Sequence, residues 1–163
     1  MRYDDVVVRL HRRLKFDDAR ELIAPLALRM SACWTHRCAT VVDLVVPVPA
    51  DPLRWQPRRA LPRRLARWIA RELDLPMVRA LRKHRATRPQ TRLTRAARER
   101  ALRNAFGAST ALVQGRSVLL VDDVVTTGAT LLACSEALYR AGASRVWGLA
   151  LARTPFAHPE GAV

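Results

Sequence analysis

Asp122 and Asp123 are followed by Thr126, Thr127, Gly128, Ala129 and Thr130, so two carboxylates and a turn of small side chains share one stretch, VLLVDDVVTTGAT. Small residues and a glycine let a ligand come close to the main chain. A helix pattern begins at once, with Leu131, Cys134 and Leu138 on one face. The N–H groups of a first helical turn have no intrahelical acceptor and sit at the positive end of the helix dipole, which makes the turn an anion site. Carboxylates nearby would repel a bare anion. A sugar phosphate removes the conflict: its hydroxyls suit the aspartates and its phosphate suits the turn.

The elements that must position these groups can be read around them. Val118, Leu119, Leu120 and Val121 are too few for a helix and predict a strand buried on both faces, with Asp122 and Asp123 at its carboxyl end in a solvated cleft. VVDLVVPVP, Val41 to Pro49, predicts a second strand that must stop, because Pro47 and Pro49 have no N–H for a ladder. Helical stripes fall at Val7, Leu10 and Leu14, at Leu22, Ile23, Leu26 and Met30 after Asp17 and Asp18, and at Leu61, Leu65, Trp68, Ile69 and Leu73, with Pro62 near the start of the last. PMVRAL is a weaker strand. The charged stretch from Arg82 to Arg103 predicts a mobile loop leading into a short polar helix, and RVWGLALAR, Arg145 to Arg153, is the final strand. Strands alternating with helices imply an α/β domain, a mainly parallel central sheet with helices on both faces. Ligands then bind at the carboxyl ends of the strands, here Pro47 to Asp51 and Asp122 to Thr130.

At 163 residues the chain is long enough for one domain with a real core. No apolar run is long enough to span a bilayer and the N-terminus is too charged for a secretory signal, so the expectation is a cytoplasmic protein without membrane insertion. Three cysteines do not make a disulfide framework; Cys134 falls on a core face, and Cys33, His36 and Cys38 fall short of a closed zinc site, so no zinc is assigned. The net charge of +15 invites a nucleic-acid reading. Lys15 and Lys83 are the only lysines among 29 basic residues, a skew that GC-rich coding produces without selection for binding. The arginines concentrate in RWQPRRALPRRLARWIARE and in Arg79 to Arg103. VLLVDD alone would also fit the first strand of a response-regulator receiver, but no further Asp or Lys follows Asp123 to complete such a site.

The stretch Val118 to Thr130 resembles, at every position, the signature of type I phosphoribosyltransferases, which bind phosphoribosyl pyrophosphate (PRPP). More narrowly the chain resembles the ComF family of competence-associated, phosphoribosyltransferase-like proteins, through YDDVVVRLHRRLKF, VVPVP and PQTRLTRAARERALRNAF, over Tyr3 to about Arg153. The resemblance implies the type I phosphoribosyltransferase fold in a single domain, with residues 1–40 as an N-terminal helical segment and hood, 41–153 as core and 154–163 as tail. It implies that Asp122 and Asp123 hold the ribose hydroxyls, directly or through Mg²⁺, and that Thr126, Thr127, Gly128, Ala129 and Thr130 cradle the 5′-phosphate. Val48, Pro49, Ala50 and Asp51 fall where the family has its pyrophosphate loop, Arg54 matches a basic residue beyond it, and Gln90 and Arg98 belong to the mobile loop. The implied ligands are PRPP or a nucleoside monophosphate with Mg²⁺. The implied roles are phosphoribosyl transfer or binding, or alternatively accessory work in DNA uptake, with single-stranded DNA or a helicase as partner. The sequence departs from the family in three places: no four-cysteine zinc module precedes Tyr3, PRRAL stands where the family has RGFNQ, and Ala101 replaces an asparagine. The acceptor and the oligomeric state are not legible.

Overall fold

A computed structural model describes residues 9, 13–14, 19–38, 40–50, 60–84 and 105–154. A 3-10 turn, Arg20–Leu22, leads into helix α1, Ile23–Arg37. Pro25 lies in its first turn, where the missing N–H removes no intrahelical bond. Strand β1, Leu44–Pro47, is buried at all four residues and ends where its prolines require. Helix α2, Leu61–Glu72, carries Pro62 at its start. Then come two short strands, β2 (Leu81–Lys83) and β3 (Phe106–Ala108), and a single helical turn, α3 (Thr110–Val113). Strand β4 (Ser117–Val125), helix α4 (Ala129–Arg140) and strand β5 (Arg145–Arg153) complete the described chain.

The central sheet has the order β1-β4-β5, all parallel, with Pro47 opposite Val121 and Asp122 opposite Ala150. Main chain at Met77 extends it beyond β1: the Val45 N–H donates to the Pro76 carbonyl at 2.9 Å, and the Val78 N–H donates to the Val45 carbonyl at 3.0 Å. PMVRAL therefore splits between two sheets. Its start bridges to β1, and its last residue, Leu81, opens an antiparallel ribbon in which β2 pairs with β3, Leu81 opposite Ala108. Arg82 and Lys83, expected in a loop, are strand residues of that ribbon. Phe106–Ala108 is too short and too glycine-rich for any alternation to announce it.

Along β4 the side chains alternate between two cores, as the pleat demands. Leu119 and Val121 face α1 and α2, meeting Ile23, Met30, Trp34, Leu65 and Ile69. Val118 and Leu120 face α4 and the ribbon, meeting Cys134, Leu138 and Phe106. A parallel sheet buried on both faces is what the run VLLV requires. Arg9, Arg13 and Leu14 are helical and Leu14 is buried in the α1 core, while Val7 and Leu10 lie outside the described residues. Trp147 of β5 packs edge-on against Trp34 of α1, ring centroids 5.9 Å apart.

Candidate functional site at the carboxyl end of β4

The site arises because β4 outlasts one neighbour and not the other. On the β1 side the ladder ends at Pro47 opposite Val121, after which the Val48 N–H donates to the Val121 carbonyl at 2.9 Å. On the β5 side pairing continues to Val125 opposite Arg153. Asp122 and Asp123 sit at this step. The expectation of a strand ending at Val121 with solvated carboxylates is therefore corrected: both aspartates lie inside β4 and are only 7% and 9% exposed. Pairing with β5 continues past both, so they lie within the strand and not beyond its end.

Their carboxylates are held by the backbone that follows. The Asp123 N–H donates to Asp122 Oδ1 and the Val124 N–H donates to Asp123 Oδ1, each at 2.8 Å. Alternation puts Asp122 on the α4 face with Leu120 and Asp123 on the α1 and α2 face with Val121, so the two carboxylates bracket the strand end and do not stand side by side. Electrostatics agrees for Asp122. The buried Cys134 thiol of α4 is pushed far above its ordinary range, first by desolvation and then by the negative charge of Asp122, with Lys83 acting in the opposite sense.

The turn after β4 is open. Gly128 has φ 80°, a left-handed conformation that side chains rarely adopt, and begins α4 as its N-cap. Its carbonyl accepts the Leu132 N–H at 2.9 Å, so the N–H groups of Ala129, Thr130 and Leu131 precede the first intrahelical bond. Thr127 Oγ1 accepts the Ala129 N–H at a long 3.3 Å, and Thr126 and Thr127 are exposed. A Cβ placed on Gly128 would meet no atom within 4 Å. The space over the turn is room for a ligand.

The structure brings Val48 against Val121 through the direct pairing of β1 and β4, across a long separation in sequence, and Pro49 and Ala50 follow Val48 beyond the end of β1. Asp51, Arg54, Gln90 and Arg98 lie outside the described residues. Lys83, which drew no role from the sequence, ends β2, and its charge acts on the Cys134 thiol in the sense opposite to that of Asp122. A cavity of about 520 Å³ lined by Asp43, Leu44, Pro76, Val78, Thr110 and Arg116 lies at the opposite, amino end of the sheet. There the Asp43 carboxylate is engaged by the Ser117 N–H at 2.6 Å. Parallel sheets present ligand sites at their carboxyl ends, which favours the β4–α4 turn over this cavity.

A family model described as phosphoribosyl transferase domain matches residues 58–157. The chain is 34% identical over 152 residues to the DNA utilization protein YhgH of Escherichia coli K12, covering 87% of this chain and 65% of that protein. It is 35% identical over 133 residues to Competence protein F of Haemophilus influenzae, covering 78% of this chain and 57% of that protein. The chain thus spans less than two thirds of the length of either relative. Among solved structures, a glutamine PRPP amidotransferase from B. subtilis complexed with ADP and GMP superposes with a TM-score of 0.56 at 25% identity, covering 83% of this chain and 28% of that one. An allosteric regulatory enzyme of purine biosynthesis superposes with a TM-score of 0.55 at 24% identity, covering 83% of this chain and 27% of that one.

Proposed function

Since the chain belongs to the phosphoribosyl transferase domain family, we propose that it binds PRPP or a nucleoside monophosphate at the end of β4, together with Mg²⁺. The observation that carries this reading is the meeting of two buried, backbone-held carboxylates with an open glycine turn at one end of the sheet. The first-turn N–H groups of α4, with the hydroxyls of Thr126, Thr127 and Thr130, receive the 5′-phosphate. Asp122 and Asp123 accept hydrogen bonds from ribose hydroxyls, charge-assisted and shielded from water by their burial. Val48, Pro49 and Ala50, which follow β1 from its carboxyl end, would receive the pyrophosphate on C1.

Asp122 and Asp123 would supply hard oxygen ligands. That suits Mg²⁺, which takes one or two carboxylates and completes its shell with substrate oxygens and water. When bound it would neutralise charge on the departing pyrophosphate. The residues of the chain orient the ribose, hold the phosphate end and exclude water from C1 as it gains oxocarbenium character. Transfer needs an acceptor, whose recognition we assign to chain outside the central sheet.

The test is thermal unfolding with PRPP, and separately with a nucleoside monophosphate, each with and without Mg²⁺. A ligand at about 100 times its dissociation constant should stabilise the fold by roughly 2.7 kcal/mol. Asp122→Asn and Asp123→Asn, made singly because both side chains are buried, should each greatly reduce that rise. Wild-type protein with no saturable effect, or Asn variants that bind as tightly as wild type, would sink the proposal. Pyrophosphate release on adding bases or amines separates a transferase from a binder.

A second reading has its own support in the names of the relatives, a DNA utilization protein and a competence protein. On it, the chain handles DNA, with single-stranded DNA or a helicase as partner, and the phosphoribosyl site serves that work. Binding of single strands that falls steeply with salt is its expected signature.

A further inference from the structure

Helix α2 separates its residues by chemistry. Leu61, Pro62, Leu65, Ala66, Ile69 and Ala70 are buried against the sheet and α1. Arg67, Trp68 and Arg71 are exposed on the other side, with Arg63 and Arg64 half-buried beside them. Arg63, Arg67 and Arg71 recur every four residues, so they form one row with steps of about 6 Å along the axis. Arg64 and Trp68 form the adjacent row. The Arg71 guanidinium lies over the Trp68 ring, 5.6 Å from its centroid. Glu72 is the only acid in the helix. Like charges spaced this way disfavour an isolated helix, so the row is tolerated because the apolar face holds α2 in place.

We propose that this face of α2 is a docking surface for single-stranded nucleic acid. The proposal rests on the second reading above, that the chain handles DNA, and adds where the strand lies and in what form. Arg67 and Arg71, the exposed members of the row, supply cations for successive phosphates, releasing condensed counterions. Trp68 and the guanidinium over it form a flat plate on which an unpaired base can stack, a contact open to any base and closed to a duplex, whose base faces are already stacked. An anionic membrane fits the face poorly, because every aliphatic residue of α2 except the methylenes of its arginines is turned into the core and Trp68 alone is left to insert.

The experiment is fluorescence anisotropy on the whole chain with labelled oligo(dT), oligo(U) and a DNA duplex, over salt from about 50 to 200 mM. Arg67→Gln with Arg71→Gln should weaken single-strand binding and flatten the log–log salt slope by roughly 1.4, about 0.7 for each lost phosphate contact. Trp68→Ala should weaken single-strand binding about tenfold with little change in slope, and Trp68→Phe, which keeps an aromatic face, should recover most of that loss. Both α2 variants should keep the wild-type circular dichroism and the PRPP-induced rise in melting temperature. The comparator is Arg92→Gln with Arg95→Gln and Arg98→Gln, in the other arginine-rich stretch. If wild-type protein binds no single strand, the DNA reading and this surface fall together. If it binds and both α2 variants match it, or only the comparator alters the slope, the surface is overturned while the DNA reading stands. Equal binding of duplex and of single strands, with Trp68→Ala inert, overturns the single-strand assignment.

Discussion

Gly128 and Cys134 show how single residues serve this site in different ways. At Gly128 the side-chain space is empty and the conformation is the constraint: φ is 80° and nothing lies within 4 Å of a Cβ. Gly128→Ala should therefore lose stability through backbone strain, roughly 1–2 kcal/mol, and lose phosphate binding because the new methyl occupies the cradle. Denaturant melts and PRPP titration should show both losses. A variant with full stability would mean that the turn relaxes to another conformation. Cys134 is the reverse case, with freedom removed by packing. Its thiol is held neutral by burial and by Asp122, above an ordinary value of 9.0. The proton is held more tightly in the native state, so the contribution to stability is complete below that ordinary value and is lost as pH rises beyond it. At pH 8 a thiol reagent should modify exposed Cys33 rapidly and Cys134 only on unfolding. Fast labelling of Cys134 in the folded protein would contradict its place in the core.

At the scale of elements, unequal strand lengths create the site. β1 stops at Pro47 because proline cannot donate, while β4 runs on beside β5 to Val125. One edge of β4 thus opens at the two aspartates while the other stays paired. β5 is in turn held by α1, through Trp34 against Trp147. Trp34 is 7% exposed and Trp147 is 36% exposed, so the two rings should not be worth the same. Trp34→Ala is expected to cost about 3–5 kcal/mol, a large part of the 5–15 kcal/mol typical of whole domains. Trp147→Ala should cost clearly less. Urea unfolding measures both, and equal losses would show that the exposed ring carries more packing than its burial indicates.

Across the molecule, charge and chemistry are spatially sorted. Asp122 and Asp123, the buried acids among the described residues, mark the end of β4, whereas Arg67 and Arg71 of α2 are exposed on a helix face turned away from the sheet. A phosphorylated ligand at the sheet end and a polyanion on α2 would not have to share one set of groups. The net charge of +15 draws both toward the protein, and salt should weaken the polyanion more because it makes more exposed contacts. Among the described residues no helix is long and apolar enough to cross a membrane.

The β4–α4 signature was legible in the sequence because it is local: a strand, a glycine turn and a helix start are short-range patterns, and RVWGLALAR and the α2 stripe were read to within a residue or two for the same reason. Pro47 and Pro49 likewise announced the end of β1. The place of the aspartates inside β4 was not legible, since it depends on β5 remaining paired beyond Val121, a contact between segments far apart in the chain. Neither was the ribbon of β2 and β3, whose three-residue strands are too short to carry a period. The meeting of Val48 with Val121 and the faces of β4 on which the two carboxylates fall follow from register and pleat. Those are properties of paired strands, and a sequence acquires them only once its distant segments are laid side by side.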